Sequence, residues 1–133
     1  MTTLHPSPLL RQALLADATT SGAFGLLMLL AAGPLSHMLG LPELLLRSAG
    51  AVLIPFVALL AWLGLREQMH RALVWAVILG NILWAADSLL LLVSGWVSPS
   101  GAGYAFVIAQ ALVVLMYAGL QILGLRRSAA VAI

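Results

Sequence analysis

Four long apolar stretches, nearly free of charge, fill most of this chain, at residues 9–32, 43–65, 72–94 and 102–125. A run of roughly 20 apolar residues is what an α-helix needs to cross the hydrocarbon core of a bilayer, about 30 Å. Lipid offers no partner to an unpaired backbone N–H or C=O, so runs of this kind are stable there as helices. The 133 residues accommodate four such spans with short turns and leave no room for a separate soluble module. The predicted fold is therefore all-α, a transmembrane four-helix up-down bundle forming one domain. Charge content agrees: 8% of the residues are charged, whereas a soluble domain carries about 25% and needs it to cover a water-facing surface.

Local signals mark the boundaries. Pro6 and Pro8 suit the start of the first span, and Gly33-Pro34 suits its end. Residues 35–41, with Ser36, His37 and Gly40, read as a short connection. Pro42-Glu43 reads as the first turn of the second span, where proline lacks a donor that would be orphaned and the acid suits the helix dipole. Pro55 falls near the middle of that span and should kink it. The most polar stretch, 66–71, reads as a tight turn, 95–101 as a second one, and 126–133 as a frayed tail. The first span also has features of a cleaved signal, with Arg11 ahead of it and Ala31-Ala32 near its end. Its length and its Asp17, Thr19, Thr20 and Ser21 favour a retained helix.

Alternating spans put Arg11, Arg66, Arg71, Arg126 and Arg127 on one side. The opposite side holds Glu43, His37 and Arg47. The positive-inside rule then places both termini in the cytoplasm, and Trp62 and Trp75 near one boundary with Trp96 and Tyr104 near the other fit aromatic belts.

Each span gathers its small and hydrogen-bonding residues on one face, as helix contacts in membranes favour. Arg47, Asp87 and Gln110 fall at similar depth and can form one intramembrane cluster, with Arg47 offsetting the cost of Asp87. A lone charge there costs at least about 2.5–3.5 kcal/mol. Asp17, Thr20, Ser21 and Gln121 can form a second layer. Asp17 also suits an interfacial acid beside Arg71 or Arg126, with its stem in lipid and its head in water. Asn81, Trp84, Ser88 and Tyr117 complete the polar seam.

Several functions are disfavoured. The absence of cysteine removes disulfides, thiolate metal sites and dithiol chemistry. His5, His37 and His70 all lie outside the spans, so no facing pair exists to hold a haem, and no cofactor or metal is expected. No catalytic triad, phosphate loop or zinc motif points to an enzyme. The few arginines form no stripe for nucleic acid.

Three stretches carry a resemblance: Gly40-Leu41-Pro42 with Leu46-Arg47-Ser48-Ala49-Gly50 and Pro55-Phe56; Val74-Trp75 with Asn81, Trp84 and Ser88; and Gln110 in a last span ending Gly124-Leu125-Arg126-Arg127. The chain resembles small uncharacterised four-span integral membrane proteins of bacteria. That resemblance implies a bacterial cytoplasmic membrane and brings no activity with it. The leading reading is a non-enzymatic subunit acting through packing, as a homo-oligomer or within a larger membrane complex, with the lipid bilayer as its surroundings. A small oligomeric transporter or channel using the polar seam is the alternative. A binder of lipid or another hydrophobic ligand, in a gap opened by Pro55, Gly50 and Gly80, is the third.

Overall fold

A computed structural model describes residues 3–130. In chain order these form β1 (Thr3–His5), α1 (Pro8–Leu30), α2 (Ala32–Leu39), α3 (Glu43–Leu65), β2 (Met69–His70), α4 (Arg71–Val93), α5 (Gly101–Arg126) and β3 (Ala129–Ala130). The four helices α1, α3, α4 and α5 are each long and apolar enough to cross a membrane. Helix α3 continues unbroken through Pro55.

The helices make a ring with one loose side. Helix α1 packs most extensively on α3, α4 packs on α5, and α1 on α5, whereas α3 and α4 scarcely touch. Neighbours run antiparallel. Gly64 near the end of α3 lies against Leu15 of α1, and Gly50 near the start of α3 lies against Gly25. Asn81 and Trp84 of α4 meet Gln121 and Gln110 of α5 in the same inverted order. Two glycines are obligatory for this approach. A Cβ on Gly50 would sit 2.8 Å from the Gly25 carbonyl oxygen, and one on Gly124 would sit 2.6 Å from the Leu10 nitrogen. Both obstacles are backbone, which cannot rotate away. Small residues at such crossings are how helices gain packing where lipid removes the hydrophobic drive between them.

One end of the ring, here the base, is tied by polar backbone chemistry. Ser7 caps α1 by accepting from the Leu10 N–H at 3.2 Å, and its hydroxyl donates to the Gly124 carbonyl of α5 at 2.7 Å. Pro8 occupies the first turn, where its missing donor costs nothing. Arg11 donates through Nη1 to the Gly64 carbonyl at 2.6 Å, so the arginine that begins α1 satisfies an orphan acceptor at the end of α3. Arg66 lies over the Trp62 ring, 4.8 Å from its centroid.

Two parts of the sequence expectation are corrected. The 66–71 turn and the tail are not simply irregular: Leu4 and His5 pair with Ala130 and Ala129, and Thr3 and Leu4 pair with His70 and Met69, giving a three-stranded sheet ordered β2-β1-β3. Leu4 and Met69 are both 1% exposed and join the core formed by Leu10, Leu14, Leu60, Leu63, Val74, Val77, Ile78 and Leu125. Strands of two or three residues lie below any periodic signal. The connection after α1 is largely helical, forming α2. Proline cannot continue α1, yet the first turn of a new helix accepts it. Ala32, Leu35 and Leu39 then face inward at helical spacing. The second capping serine, Ser100, accepts from the Gly103 N–H at 3.1 Å and donates to the Met38 carbonyl at 2.8 Å, binding α5 to α2 at the far end.

Two of the α5 glycines, Gly119 and Gly124, permit a controlled test. Gly124→Val should destabilise the protein by about 1–3 kcal/mol through overpacking. Gly119→Val, where a Cβ has nothing within 4 Å, should stay within about 1 kcal/mol of wild type, since only helix propensity changes. Denaturation midpoints of the two variants in detergent check this.

Candidate functional site

Two polar layers separate along the bundle axis. The one nearer the base is closed. Asp17 lies about 14 Å along α1 from Pro8 at 1.5 Å per residue, and it is fully buried. Its Oδ1 accepts from Ser21 Oγ at 2.8 Å. Its Oδ2 accepts from Asn81 Nδ2 and from Gln121 Nε2, each at 2.8 Å. Asn81 Nδ2 donates a second bond to Gln121 Oε1 at 3.0 Å. Three helices therefore converge on one carboxylate, and no buried side-chain N or O among the described residues lacks a partner. Thr20, placed by the sequence in this layer, instead shares a 2.7 Å hydrogen bond with Tyr117 just beyond it.

The second layer borders a cavity of about 330 Å³ among α1, α3, α4 and α5 in the far half of the bundle. Its walls are mostly aliphatic and aromatic. Phe24 and Phe106 stand edge to face, with ring centroids 5.8 Å apart at 71°. Trp84 and Tyr117 also line it. Trp84 Nε1 donates to Gln110 Oε1 at 2.8 Å, and Gln110 Nε2 donates to the Val107 carbonyl at 2.9 Å, so the indole and the amide hold each other in place. Ser88 returns its hydroxyl to the Trp84 carbonyl at 2.7 Å. The closely packed α1 and α5 form the back wall. On the opposite side α3 and α4 nearly fail to meet, with Phe56 against Gly80 marking their approach nearer the base. The loosely closed α3–α4 side therefore borders the cavity, with Leu45, Leu46, Ala49 and Leu53 of α3 and Trp84, Asp87, Ser88 and Leu91 of α4 in its lining.

The anticipated cluster of Arg47, Asp87 and Gln110 does not assemble. Arg47 is exposed and pairs with Glu43, one turn earlier on the same helix, at 2.6 Å. An i, i+4 partner near the helix end is reached without crossing the bundle or leaving the interface. Asp87 and Gln110 do share the cavity lining, but Asp87 has no hydrogen bond or ion pair to any described residue. The interfacial position considered for Asp17 is likewise corrected, since its carboxylate is enclosed by amides and a hydroxyl rather than by Arg71 or Arg126. Asn81, placed by the sequence in the polar seam outside both layers, is the bridge between Asp17 and Gln121. Phe106 was absent from the sequence reading altogether. Its contribution is apolar, and in a chain that is 63% hydrophobic nothing marks one inward phenylalanine among lipid-facing residues. Among the described residues no group of His, Asp and Glu is arranged to hold a metal ion.

No protein-family model, curated protein or solved structure matches this chain.

The closed layer behaves as a unit. Asp17→Leu strands the donors of Asn81 and Gln121 and should cost about 1–3 kcal/mol or more. Joint replacement of Asp17, Asn81 and Gln121 by leucine should recover most of that loss, because apolar packing replaces the whole network. Arg47→Gln should change stability by no more than about 1 kcal/mol, as exposed ion pairs contribute little. Detergent denaturation of the four proteins, wild type included, measures all three statements.

Proposed function

We propose that this multi-pass membrane protein binds a hydrophobic or amphipathic small molecule, or a lipid chain, that reaches it through the bilayer. The observation that carries this reading is the 330 Å³ apolar cavity lined by all four long helices, whose α3–α4 side is only loosely closed. Ligand sites are concave, mainly apolar, and carry a few fixed polar groups, at volumes from about 300 Å³ upward. Here the fixed groups are the Trp84–Gln110 and Thr20–Tyr117 pairs, each held by its own hydrogen bond. A ligand dissolved in lipid meets the α3–α4 side without crossing water.

The base half of the bundle speaks against a conduit. Below the cavity lies the satisfied Asp17 layer, and below that the apolar plug of Leu10, Leu14, Leu60, Leu63, Val74, Val77, Ile78 and Leu125. An ion or polar solute finds no hydrogen-bonding route through that plug. For orientation, we take the base as the cytoplasmic side of a bacterial cytoplasmic membrane, because Arg11, Arg66, Arg71, Arg126 and Arg127 belong to it and the far end carries the neutralised Arg47–Glu43 pair.

Trp84 reports occupancy directly. In a protein retaining Trp84 as its sole tryptophan, in phosphatidylcholine nanodiscs, a brominated long-chain alcohol should quench fluorescence saturably. Filling the cavity with Ala49→Phe should raise the half-saturating concentration by at least about tenfold, because lining contacts and ligand then compete for one volume. The companion protein retaining only Trp96, which is 87% exposed, gives the quenching due to bromine in lipid. Quenching of Trp84 that merely follows this linear background would sink the reading.

A further inference from the structure

Asp87 differs from every other acid in the described chain in having both a cavity and no partner. Asp17 has three donors, Glu43 has Arg47, and Glu67 lies outside the helices in the 66–71 connection. Asp87 is an exposed residue at the rim of the cavity, about 9 Å along α4 from its end at Val93, inside a membrane-length helix, where an ionisable side chain is costly unless something answers its charge. The lining it shares contains no arginine or histidine. The one basic residue on the adjoining part of α3, Arg47, is taken by Glu43. The cavity thus carries one negative group and no positive one.

The remaining lining indicates what sort of cation suits it. Phe24, Phe106, Trp84 and Tyr117 bring four aromatic rings to a single cavity. Aromatic faces attract organic cations, most strongly where water is excluded. A hydrated metal ion would instead need several oxygen ligands at short range, and one carboxylate does not supply them. We infer that the ligand of this cavity is a cationic amphiphile, a quaternary or protonated amine on a hydrophobic body, with its charge beside Asp87 and its body among the rings. This rests on the cavity being a ligand site and adds the chemical class. The loosely closed α3–α4 side suits such a molecule, whose apolar part resides in the bilayer and whose charged head stays near the interface, at the depth of Asp87.

The test compares two probes with the same brominated chain, one ending in trimethylammonium and one in a hydroxyl. Both are titrated against the Trp84-only protein in zwitterionic phosphatidylcholine nanodiscs, so that lipid charge does not concentrate the cation. The ammonium probe should half-saturate at a concentration at least about tenfold below the alcohol, as a carboxylate and aromatic rings at low dielectric require. Asp87→Asn should raise the ammonium value by at least about fivefold and leave the alcohol value within about twofold. Asp87→Glu, which keeps the charge, should preserve the preference and does so independently of how well the asparagine variant folds. Equal affinity for the two probes in the parent protein, or an ammonium preference that survives Asp87→Asn, overturns the assignment of charge while the hydrophobic site stands. Absence of saturable quenching by either probe overturns both.

Discussion

The Asp17 carboxylate is where three of the four long helices are made to agree. It takes one hydrogen bond from Ser21 a turn later on α1, one from Asn81 on α4 and one from Gln121 on α5. In lipid, apolar side chains gain little by choosing each other over acyl chains, so a satisfied polar centre contributes disproportionately to specifying which helix faces align. Rotating α4 or α5 by one residue, about 100°, would turn its amide away from Asp17 and leave a buried carboxylate short of donors. Helix α3 is absent from this centre. It is held instead by backbone proximity to α1 at Gly50 and by Arg11 at the Gly64 carbonyl.

That division explains the asymmetry of the bundle. Where α1, α4 and α5 share the polar centre and α3, among the long helices, packs mainly on α1, the α3–α4 side has no strong bond to close it. Near the base, the three-stranded sheet and the core around Leu60, Leu63, Val74 and Val77 bring α3 and α4 together. Toward the far end nothing equivalent exists, and the helices part around the cavity. The capping serines then fix the two ends. Ser7 joins α1 to α5, and Ser100 joins α5 to α2. The base is thus the more closely tied half of the bundle, and the cavity lies in the other.

Much of the fold was legible in the residues. The second span, 43–65, coincides with α3, and the other spans differ from α1, α4 and α5 by no more than two residues at an end, because length and apolarity are one-dimensional properties and proline and glycine mark the breaks. The inward residues Asp17, Ser21, Asn81 and Gln121 were legible too, since polar groups within a span have few places to go. Their partners were less so. Arg47 and Asp87 stood at matching depth, yet depth is one coordinate, and Glu43 offered Arg47 a bond on its own helix. The β-pairing of Leu4 with Met69 and Ala130 links three segments far apart in the chain through backbone groups, on which side-chain patterns are silent.

By itself, the sequence determined that this chain forms four apolar helices of membrane length with a few polar residues turned inward, because hydrocarbon tolerates no unpaired backbone and few unpaired side chains. Only the tertiary structure decided that Asp17 is enclosed while Asp87 is free at a cavity, and that the ring of helices is only loosely closed on its α3–α4 side. Those outcomes depend on rotation about helix axes and on distances between helices. They are settled by where two backbones can touch, as at Gly50 and Gly124, and by which donor reaches an acceptor first.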